Sequence, residues 1–372
     1  MKYNIWNKWD PLKVCMLGNN YAPEFFNGIP NKAGDPLKRI CEETLEDLEG
    51  FKTILQDFGA EVIQPDMDRS KRFLDNPSRY PRGPLQPRDD QIIIGNTCFT
   101  HCKDHPGIVQ TLEKYCNSNI VYTKDLPMPE SKYNQVACFE SGDWPVYDDY
   151  AIGVELQDFV KQEIADLEFN SFPMSSSDCF LLDDRFLIGY NHKHIQPAKV
   201  SIENTIQFHA GKDISIEYTS TDGHLDANFH PIKPGAILSL YDVQNYRETF
   251  PGWDVCYLPD QSWNKIKPFL ELKEKNKGKW WLAGEEDNDE FTHFVETWLQ
   301  DWVGYVEETV FDVNVLMLDE HHCCVSNPNN EKVNKFFKKH KIEPIYVPWR
   351  HRYFWDGGLH CITLDLYREG KK

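Results

Sequence analysis

The fold is decided by Arg88-Asp-Asp-Gln-Ile-Ile-Ile-Gly-Asn-Thr-Cys-Phe-Thr100, in which two β-rich runs flank the turn pair Gly95-Asn96. Turn residues between two such runs predict a β-hairpin. Ser177-Asp-Cys-Phe-Leu-Leu-Asp-Asp-Arg-Phe-Leu-Ile-Gly189 has the same pattern with an Asp-Asp turn. Each copy carries an acidic residue at the start of its first strand, Asp89 in one and Asp178 in the other.

The hairpin unit recurs along the chain, with amphipathic helical stretches between its copies. Further copies occupy residues 225–239 and 313–325, and an unpaired strand at 360–366 could be completed by residues 3–17, joining the two ends. The helical stretches cover residues 37–58, 108–115, 198–210 and 330–340, each followed by a possible short strand. We therefore predict one ring-like α/β domain over residues 1–372, built from about five units. An ordinary α/β sheet is the alternative, because periodicity alone does not separate the two.

The charge of the chain argues against two classes of partner. The 372 residues include 40 Lys+Arg and 59 Asp+Glu, a formal net charge of −19. Nucleic acids and anionic membrane surfaces are bound by clustered basic residues, so neither is an expected partner. The sequence has no run of about 18 apolar residues, and its first residues do not resemble a secretory or transit peptide. We therefore expect a cytoplasmic protein.

The 11 cysteines are an odd number in a chain without a secretory signal, which predicts free thiols in a reducing compartment. Two Cys/His clusters, at residues 98–102 and 321–324, suggest a metal site. Both lie in strand-like runs, where neighbouring side chains face opposite sides and cannot converge on one tetrahedral ion. We predict no metal.

Polar residues at the starts of the hairpin units predict the site. In a ring of repeats, equivalent ends meet at the centre, where the sequence would bring together Asp89, Asp178, His224, Asp226, Asn314 and Cys361. His224 and Asp226 would share one face of a strand. Carboxylates there could hold a planar cation by charge-assisted hydrogen bonds, a Cys could attack its carbon, and a His could move protons. Gly357 and Gly358 would let the backbone beside Cys361 approach a ligand closely.

The chain resembles the glycine amidinotransferase family of the guanidine-modifying pentein superfamily over essentially its whole length. The matching stretches are Trp9-Asp-Pro-Leu12, Pro87-Arg-Asp89, Tyr133-Asn-Gln135, His224-Leu-Asp-Ala-Asn-Phe229, Pro234-Gly235, Asn314-Val-Leu-Met-Leu-Asp-Glu320 and Gly357-Gly-Leu-His-Cys361. The resemblance implies a five-bladed α/β propeller of ββαβ modules with pseudo-fivefold symmetry around a polar channel.

The resemblance also implies a chemistry. Cys361 matches the nucleophile and His224 the general acid/base, while Asp89 and Asp226 match the carboxylates that bind the donor guanidinium. The family moves an amidino group from arginine to an amine through an amidino-Cys intermediate and releases ornithine. It uses no metal or organic cofactor, and its members are often homodimers.

Three departures from the family pattern bear on the site. The acid that partners the catalytic His is replaced by Ser175, while the second acid is retained as Asp178. The family Arg that binds the donor carboxylate aligns with Val243, and Arg247 is a nearby substitute. In the family, a Ser-Ser pair helps to bind ligand, and the corresponding position in this chain falls near Glu307-Glu308. These acidic residues would repel a glycine carboxylate and suit a cationic amine. We assign substrate binding to Asp89, Asp226, Arg247, Asn314, Glu307 and Glu308.

The predicted activity is an arginine-dependent amidinotransferase whose acceptor is an amine other than glycine, such as a diamine or an amino sugar. If the loop aligns differently, Glu307 and Glu308 are solvated and say nothing about the acceptor. A guanidine hydrolase of the deiminase or dihydrolase kind would use the same machinery with water as the acceptor. The Ser175 change leaves a catalytically weakened binding protein as a third possibility.

Overall fold

A computed structural model describes a large part of the chain, and the account below refers to that part. The described residues are 2–76, 82–89, 91–100, 106–115, 120–122, 176–190, 203, 206–208, 214–220, 224–240, 246–258, 281–300, 302–303 and 312–370.

Fifteen strands and seven helices are described. The strands are β1 (Leu12–Leu17), β2 (Glu61–Ile63), β3 (Gln91–Ile94), β4 (Thr97–Thr100), β5 (Ile120–Tyr122), β6 (Cys179–Leu182), β7 (Arg185–Tyr190), β8 (Ser215–Ser220), β9 (Phe229–Lys233), β10 (Ala236–Ser239), β11 (Asp254–Tyr257), β12 (Leu316–Met317), β13 (His322–Val325), β14 (Glu343–Tyr346) and β15 (Thr363–Arg368). The helices are α1 (Asn31–Asp57), α2 (Pro106–Tyr115), α3 (Leu225–Asn228), α4 (Tyr246–Thr249), α5 (Asp289–Trp298), α6 (Glu331–Lys339) and α7 (Arg352–Trp355).

The strands form five sheets of three strands each, in the orders β15-β1-β2, β3-β4-β5, β6-β7-β8, β9-β10-β11 and β12-β13-β14. In every sheet two strands form an antiparallel pair and the third runs parallel to the middle strand. Helices α1, α2, α4 and α6 connect the middle and third strands in four of the sheets. The predicted ββαβ repeat is therefore confirmed.

One sheet is built from both ends of the chain. Strand β1 pairs with β15, and Leu17 lies opposite Thr363. The predicted completion of the unpaired last unit by residues near the start of the chain is therefore confirmed.

Five hydrophobic clusters lie between successive sheets and close the ring. They join the β15-β1-β2 sheet to β3-β4-β5, that sheet to β6-β7-β8, and so on around the ring back to β15-β1-β2. Each sheet thus buries side chains against two neighbours, which places the equivalent strand ends around one centre. The architecture is a five-module α/β propeller, as predicted.

Helix boundaries differ modestly from the predictions. Helix α1 begins at Asn31, although the sequence pattern started at residue 37. Ala33, Gly34 and Pro36 are buried, so packing of this first part outweighs the backbone hydrogen bond that Pro36 cannot donate. Helices α2 and α6 agree with prediction, whereas most of the predicted helix at 198–210 lies outside the described residues. Within the described part of the chain, no helix has the length and apolar character needed to cross a membrane.

Candidate active site

The predicted site residues do precede the first strands of the five sheets. Asp89 lies just before β3, Asp178 ends the 3₁₀ turn that leads into β6, and Asn314 lies just before β12. Cys361 lies just before β15, and the segment beginning at His224 leads into β9. The ring therefore brings one chemistry-bearing segment from each module towards its centre.

The prediction that His224 and Asp226 share one face of a strand is wrong. The segment forms a helical turn, α3, in which Asn228 Nδ2 donates a hydrogen bond of 2.7 Å to the His224 carbonyl. This turn places Asp226 in a fully buried position, while His224, which precedes the helix, remains solvent-exposed. The two side chains therefore lie at different depths in the site.

Asn314 holds the loop that carries Cys361. Its Oδ1 accepts hydrogen bonds from the backbone N–H groups of His360 (2.9 Å) and Cys361 (3.2 Å). Its Nδ2 lies 3.1 Å from the Cys361 Sγ. The Asn314 amide, predicted to bind substrate, is thus used in the described structure to fix the backbone and the thiol of the candidate nucleophile.

The glycines before Cys361 permit a close approach to other side chains of the protein. A Cβ at Gly357 would lie 2.1 Å from Gln86 Nε2, and one at Gly358 would lie 2.5 Å from Asn314 Oδ1. Gln86 Nε2 donates to the carbonyls of Trp355 (3.1 Å) and Asp356 (2.9 Å). The glycine pair is therefore required by the packing of the loop, in addition to any contact with a ligand.

Two carboxylates, those of the buried Asp226 and the half-buried Asp89, each retain a buried oxygen with no hydrogen-bond partner among the described residues. Asp226 Oδ2 lies 2.7 Å from His360 Nδ1 and 3.8 Å from the Cys361 Sγ, but Asp226 Oδ1 has no such partner. Asp89 Oδ1 also has no hydrogen-bond partner among the described residues. Buried polar atoms are almost always paired, so two unpaired carboxylate oxygens beside a thiol suit a ligand with cationic N–H groups.

The acidic surroundings change the ionisation of the site. Burial raises the pKa of the Cys361 thiol well above its usual range, and the charges of Asp226 and Asp89 raise it further. Burial also raises the pKa of Asp226 to about 7, although the nearby His224 opposes this shift. Without a ligand, the thiol is therefore protonated at neutral pH.

His224 shifts towards its charged form. Burial among protein atoms opposes the imidazolium, but the pKa is raised to about 8 by four carboxylates, those of Asp89, Asp178, Asp226 and Asp356. Together these four charges outweigh the opposing effect of burial. The side chain is thus a proton donor at neutral pH.

Three buried basic side chains lie near the loop that carries Cys361. We call them the cation cluster, which consists of Lys8, Arg88 and Arg368. All three contact Asp365. Its oxygens lie 2.9 Å from Arg88 Nη2, 2.9 Å from Arg368 Nε and 3.6 Å from Lys8 Nζ. Arg88 Nε also donates a 2.7 Å hydrogen bond to the carbonyl of His360, which ties the cluster to the Cys361 loop.

Known amidinotransferases are similar to this chain in sequence. The chain is 27% identical to an L-arginine:L-lysine amidinotransferase of Pseudomonas savastanoi pv. phaseolicola over 173 residues, 45% of this chain and 38% of the relative. It is 29% identical to a mitochondrial glycine amidinotransferase of Xenopus tropicalis over 147 residues, 40% of this chain and 27% of the relative. The glycine amidinotransferase of Gallus gallus is 23% identical over 406 residues, 98% of this chain and 82% of the relative. The first two matches thus span well under half of those relatives.

Two solved structures share the fold along nearly the whole chain. An amidinotransferase from Microseira wollei in the saxitoxin biosynthetic pathway has a TM-score of 0.58 at 16% identity, covering 99% of this chain and 98% of its own. The inosamine-phosphate amidinotransferase of Streptomyces griseus has a TM-score of 0.60 at 14% identity, covering 99% and 97%. No protein-family model matches the sequence.

The chain is therefore similar in sequence to amidinotransferases, and it shares its fold with two amidinotransferase structures. The remaining residues predicted from the family pattern differ in where they lie. Asp178 is half-buried in its 3₁₀ turn and is one of the four carboxylates that act on His224. Ser175, Glu307 and Glu308 lie outside the described residues.

Arg247, predicted to bind the donor carboxylate, lies on α4 and is solvent-exposed. It lines an open groove of about 510 Å³ together with Tyr246, Phe250, Gly252, Trp253, Val255 and Tyr257. None of the other predicted site residues lines this groove in the described structure, so the groove does not bring Arg247 together with them.

The sequence reasoning missed His360 and the cation cluster. The sequence reasoning considered His360 and Arg88 only as parts of the stretches that contain Cys361 and Asp89, and it gave neither a role. The sequence did contain a signal for both. His360 directly precedes Cys361 and Arg88 directly precedes Asp89, and a residue next to a site residue commonly fixes its backbone. Among the described residues no group of three or more His, Cys, Asp or Glu side chains could hold a metal ion.

Proposed function

We propose that this protein transfers an amidino group from arginine to an amine through a covalent amidino-Cys361 intermediate. One observation carries the proposal. A buried thiol lies beside the buried Asp226 carboxylate, and Asp226 and Asp89 each keep an oxygen without a described partner. The arrangement fits a planar cation whose central carbon must be attacked by sulfur.

Donor binding follows from charge and geometry. A guanidinium presents N–H groups in a plane, and carboxylates pair with it by charge-assisted hydrogen bonds. The unpaired oxygens of Asp89 and Asp226 supply acceptors for these bonds. The bound cation offsets the two carboxylates that raise the thiol pKa, so binding favours release of the Cys361 proton.

The first half-reaction releases ornithine. The Cys361 thiolate forms a bond to the central guanidinium carbon and gives a tetrahedral adduct. His224 then donates its proton to the departing nitrogen, and the bond from that nitrogen to the central carbon breaks. Ornithine leaves, and an S-linked amidino cation remains on Cys361.

The second half-reaction reverses these roles. The acceptor amine forms a bond to the amidino carbon, neutral His224 takes a proton from it, and the carbon–sulfur bond breaks. The products are a guanidinylated amine and the Cys361 thiolate. Because the donor product leaves before the acceptor enters, we expect ping-pong kinetics.

The acceptor is the most open part of the proposal. The names of the similar proteins indicate three acceptors: lysine, glycine and inosamine phosphate. From Glu307 and Glu308 we expect an acceptor with a second cationic group. The homodimer and the cytoplasmic location stay predictions from the sequence analysis.

The test is a product assay. The protein is incubated with arginine alone and with glycine, lysine, a diamine or an amino sugar, and the products are analysed by mass spectrometry. Ornithine with a guanidinylated amine is the expected result, together with a mass increase of one amidino group on Cys361 in the absence of acceptor.

Two variants make the assay specific. Cys361→Ala should abolish ornithine release, while Cys41→Ala, which removes another buried thiol away from the carboxylates, should leave it intact. Citrulline or urea as the product would replace transfer by hydrolysis. Arginine binding without any product, unaffected by Cys361→Ala, would show a binding protein. Equal turnover of glycine and diamines would remove the argument from Glu307 and Glu308.

A further inference from the structure

We propose that His360 is a positioning residue for donor binding, which holds Asp226 by one carboxylate oxygen so that the other remains free for the guanidinium. The inference rests on the proposed function, because it assigns a task within the same site. It concerns a side chain that directly precedes the candidate nucleophile and that the proposed chemical steps do not use.

The contact between His360 and Asp226 is short and buried. His360 Nδ1 lies 2.7 Å from Asp226 Oδ2, and the two side chains are 1% and 0% exposed. Oδ2 is also the oxygen that lies 3.8 Å from the Cys361 Sγ, whereas Oδ1 has no described partner. A hydrogen bond to one oxygen alone fixes the rotation of the carboxylate and thereby the direction of the free oxygen.

The imidazole of His360 is itself held on several sides. The backbone N–H of His360 donates a hydrogen bond to Asn314, and the backbone carbonyl of His360 accepts one from Arg88. The ring of Phe180 stacks on it with centroids 6.0 Å apart, and the ring of His230 meets it edge-on at 4.8 Å. A ring restrained in this way can orient a carboxylate, because its own rotamer is fixed by packing.

The charge state of His360 suits this role. Burial lowers its pKa well below the usual range, and the positive charges of the cation cluster lower it further. The ring is therefore neutral, and beside an ionised Asp226 its one N–H lies on Nδ1. A neutral donor orients the carboxylate without cancelling its charge, whereas an Arg or Lys in its place would compete with the guanidinium.

The ionisation of Asp226 depends on groups from all the surrounding segments. The charged and titratable groups facing it are His224, Asp89, Arg88, Asp178, Lys8, His360 and Cys361. Together with burial they place its pKa at about 7. A hydrogen bond from Nδ1–H favours the ionised carboxylate, so loss of that bond raises the pKa and weakens arginine binding near neutral pH.

The experiment measures arginine affinity against pH by calorimetry. The parent is the full chain with Cys361→Ser, which prevents turnover and removes the thiol titration. In the parent, affinity should rise with pH as Asp226 ionises near pH 7. His360→Phe keeps an aromatic ring but removes the donor, and it should move this rise upward by about one pH unit, with about fivefold weaker binding at pH 7.

Matched variants separate positioning from packing. In His360→Asn the amide nitrogen is attached to Cγ, as Nδ1 is in histidine, so the rise should stay where the parent has it. His230→Phe alters the neighbouring buried ring, whose Nδ1 contacts the Val313 carbonyl, and should also leave it in place. His360→Leu provides the same test if His360→Phe does not fold.

Two results would overturn the inference: a pH dependence in His360→Phe identical to that of the parent, or an equal shift in His360→Asn. A parent that binds no arginine at any pH would instead refute the proposed donor.

A second readout needs no donor. Nitrogen-15 NMR of His360 should show the proton on Nδ1 above pH 7 and loss of that tautomer as Asp226 gains a proton, and an unchanged tautomer would contradict the inference.

Discussion

Gly358→Ala should damage the site by displacing Asn314. A Cβ on Gly358 would lie 2.5 Å from the Oδ1, 2.7 Å from the Cβ and 2.8 Å from the Cγ of Asn314. Non-bonded heavy atoms do not approach this closely, so the Asn314 side chain or the loop must move. Because the backbone of Gly358 is not in the left-handed region, alanine adds only this contact.

The magnitude follows from the hydrogen bonds that Asn314 makes. Its Oδ1 accepts from two buried backbone N–H groups, at 2.9 Å and 3.2 Å. An unsatisfied buried donor costs about 1–3 kcal/mol, so losing both should lower the free energy of unfolding by about 2–6 kcal/mol. Displacement of the thiol by about 1 Å should lower kcat/KM for arginine by about 100-fold.

The assay combines unfolding in urea with the rate of ornithine release. Gly50→Ala is a matched control, because Gly50 lies in α1 and an added Cβ would meet nothing within 4 Å. That variant should be about 0.5–1 kcal/mol more stable, with unchanged activity. A double variant with Asn314→Ala should be little worse than Asn314→Ala alone, since both changes remove the same hydrogen bonds.

The reasoning fails if Gly358→Ala unfolds and reacts like the original protein, because the close approach to Asn314 would then be unimportant. It also fails if Gly358→Ala and Asn314→Ala have additive effects, which would mean that alanine acts through something other than the Asn314 side chain.

Two further predictions concern charge. Asp365→Asn leaves the cation cluster without its carboxylate and should lower the free energy of unfolding by about 3–5 kcal/mol, whereas Asp35→Asn, at an exposed helix position, should change it little; equal effects in urea would contradict this. The reactive pair of thiolate and imidazolium has one proton fewer than the resting site, so kcat/KM for arginine should rise about tenfold per pH unit between the Asp226 pKa of about 7 and the His224 pKa of about 8, and more steeply below pH 7, where Asp226 gains a proton. Asp356→Asn should move that limit to lower pH, and a limit that stays at pH 8 would exclude Asp356 from the site.

The fold was predictable because its information is local and repeated. Each hairpin is specified by two β-rich runs and a turn, as in residues 88–100, and the structure has this hairpin as β3 and β4. The bounds of α1 were less predictable, because the packing of Ala33, Gly34 and Pro36 depends on parts of the chain far away in sequence.

The site was predictable in composition and less so in detail. Residue type and position at the strand starts identified Cys361, Asp89 and Asp226, but the local turn that separates the depth of His224 from that of Asp226 has no clear sequence signal. The cation cluster is drawn from residues 8, 88 and 368, which no local pattern connects. Its effect on His360 depends on burial, which is a property of the folded ring.

The pairing of β1 with β15 has a consequence for synthesis on the ribosome. Strand β15, which hydrogen-bonds to β1 and follows Cys361, is made only after the intervening residues 18–362. At 5–20 residues per second this delay is roughly 20–70 seconds, during which the apolar edge formed by Val14, Met16 and Leu17 awaits its native neighbour. The same delay keeps the nascent chain without Cys361, the candidate nucleophile, so the complete site and the closed ring become possible at the same stage of synthesis.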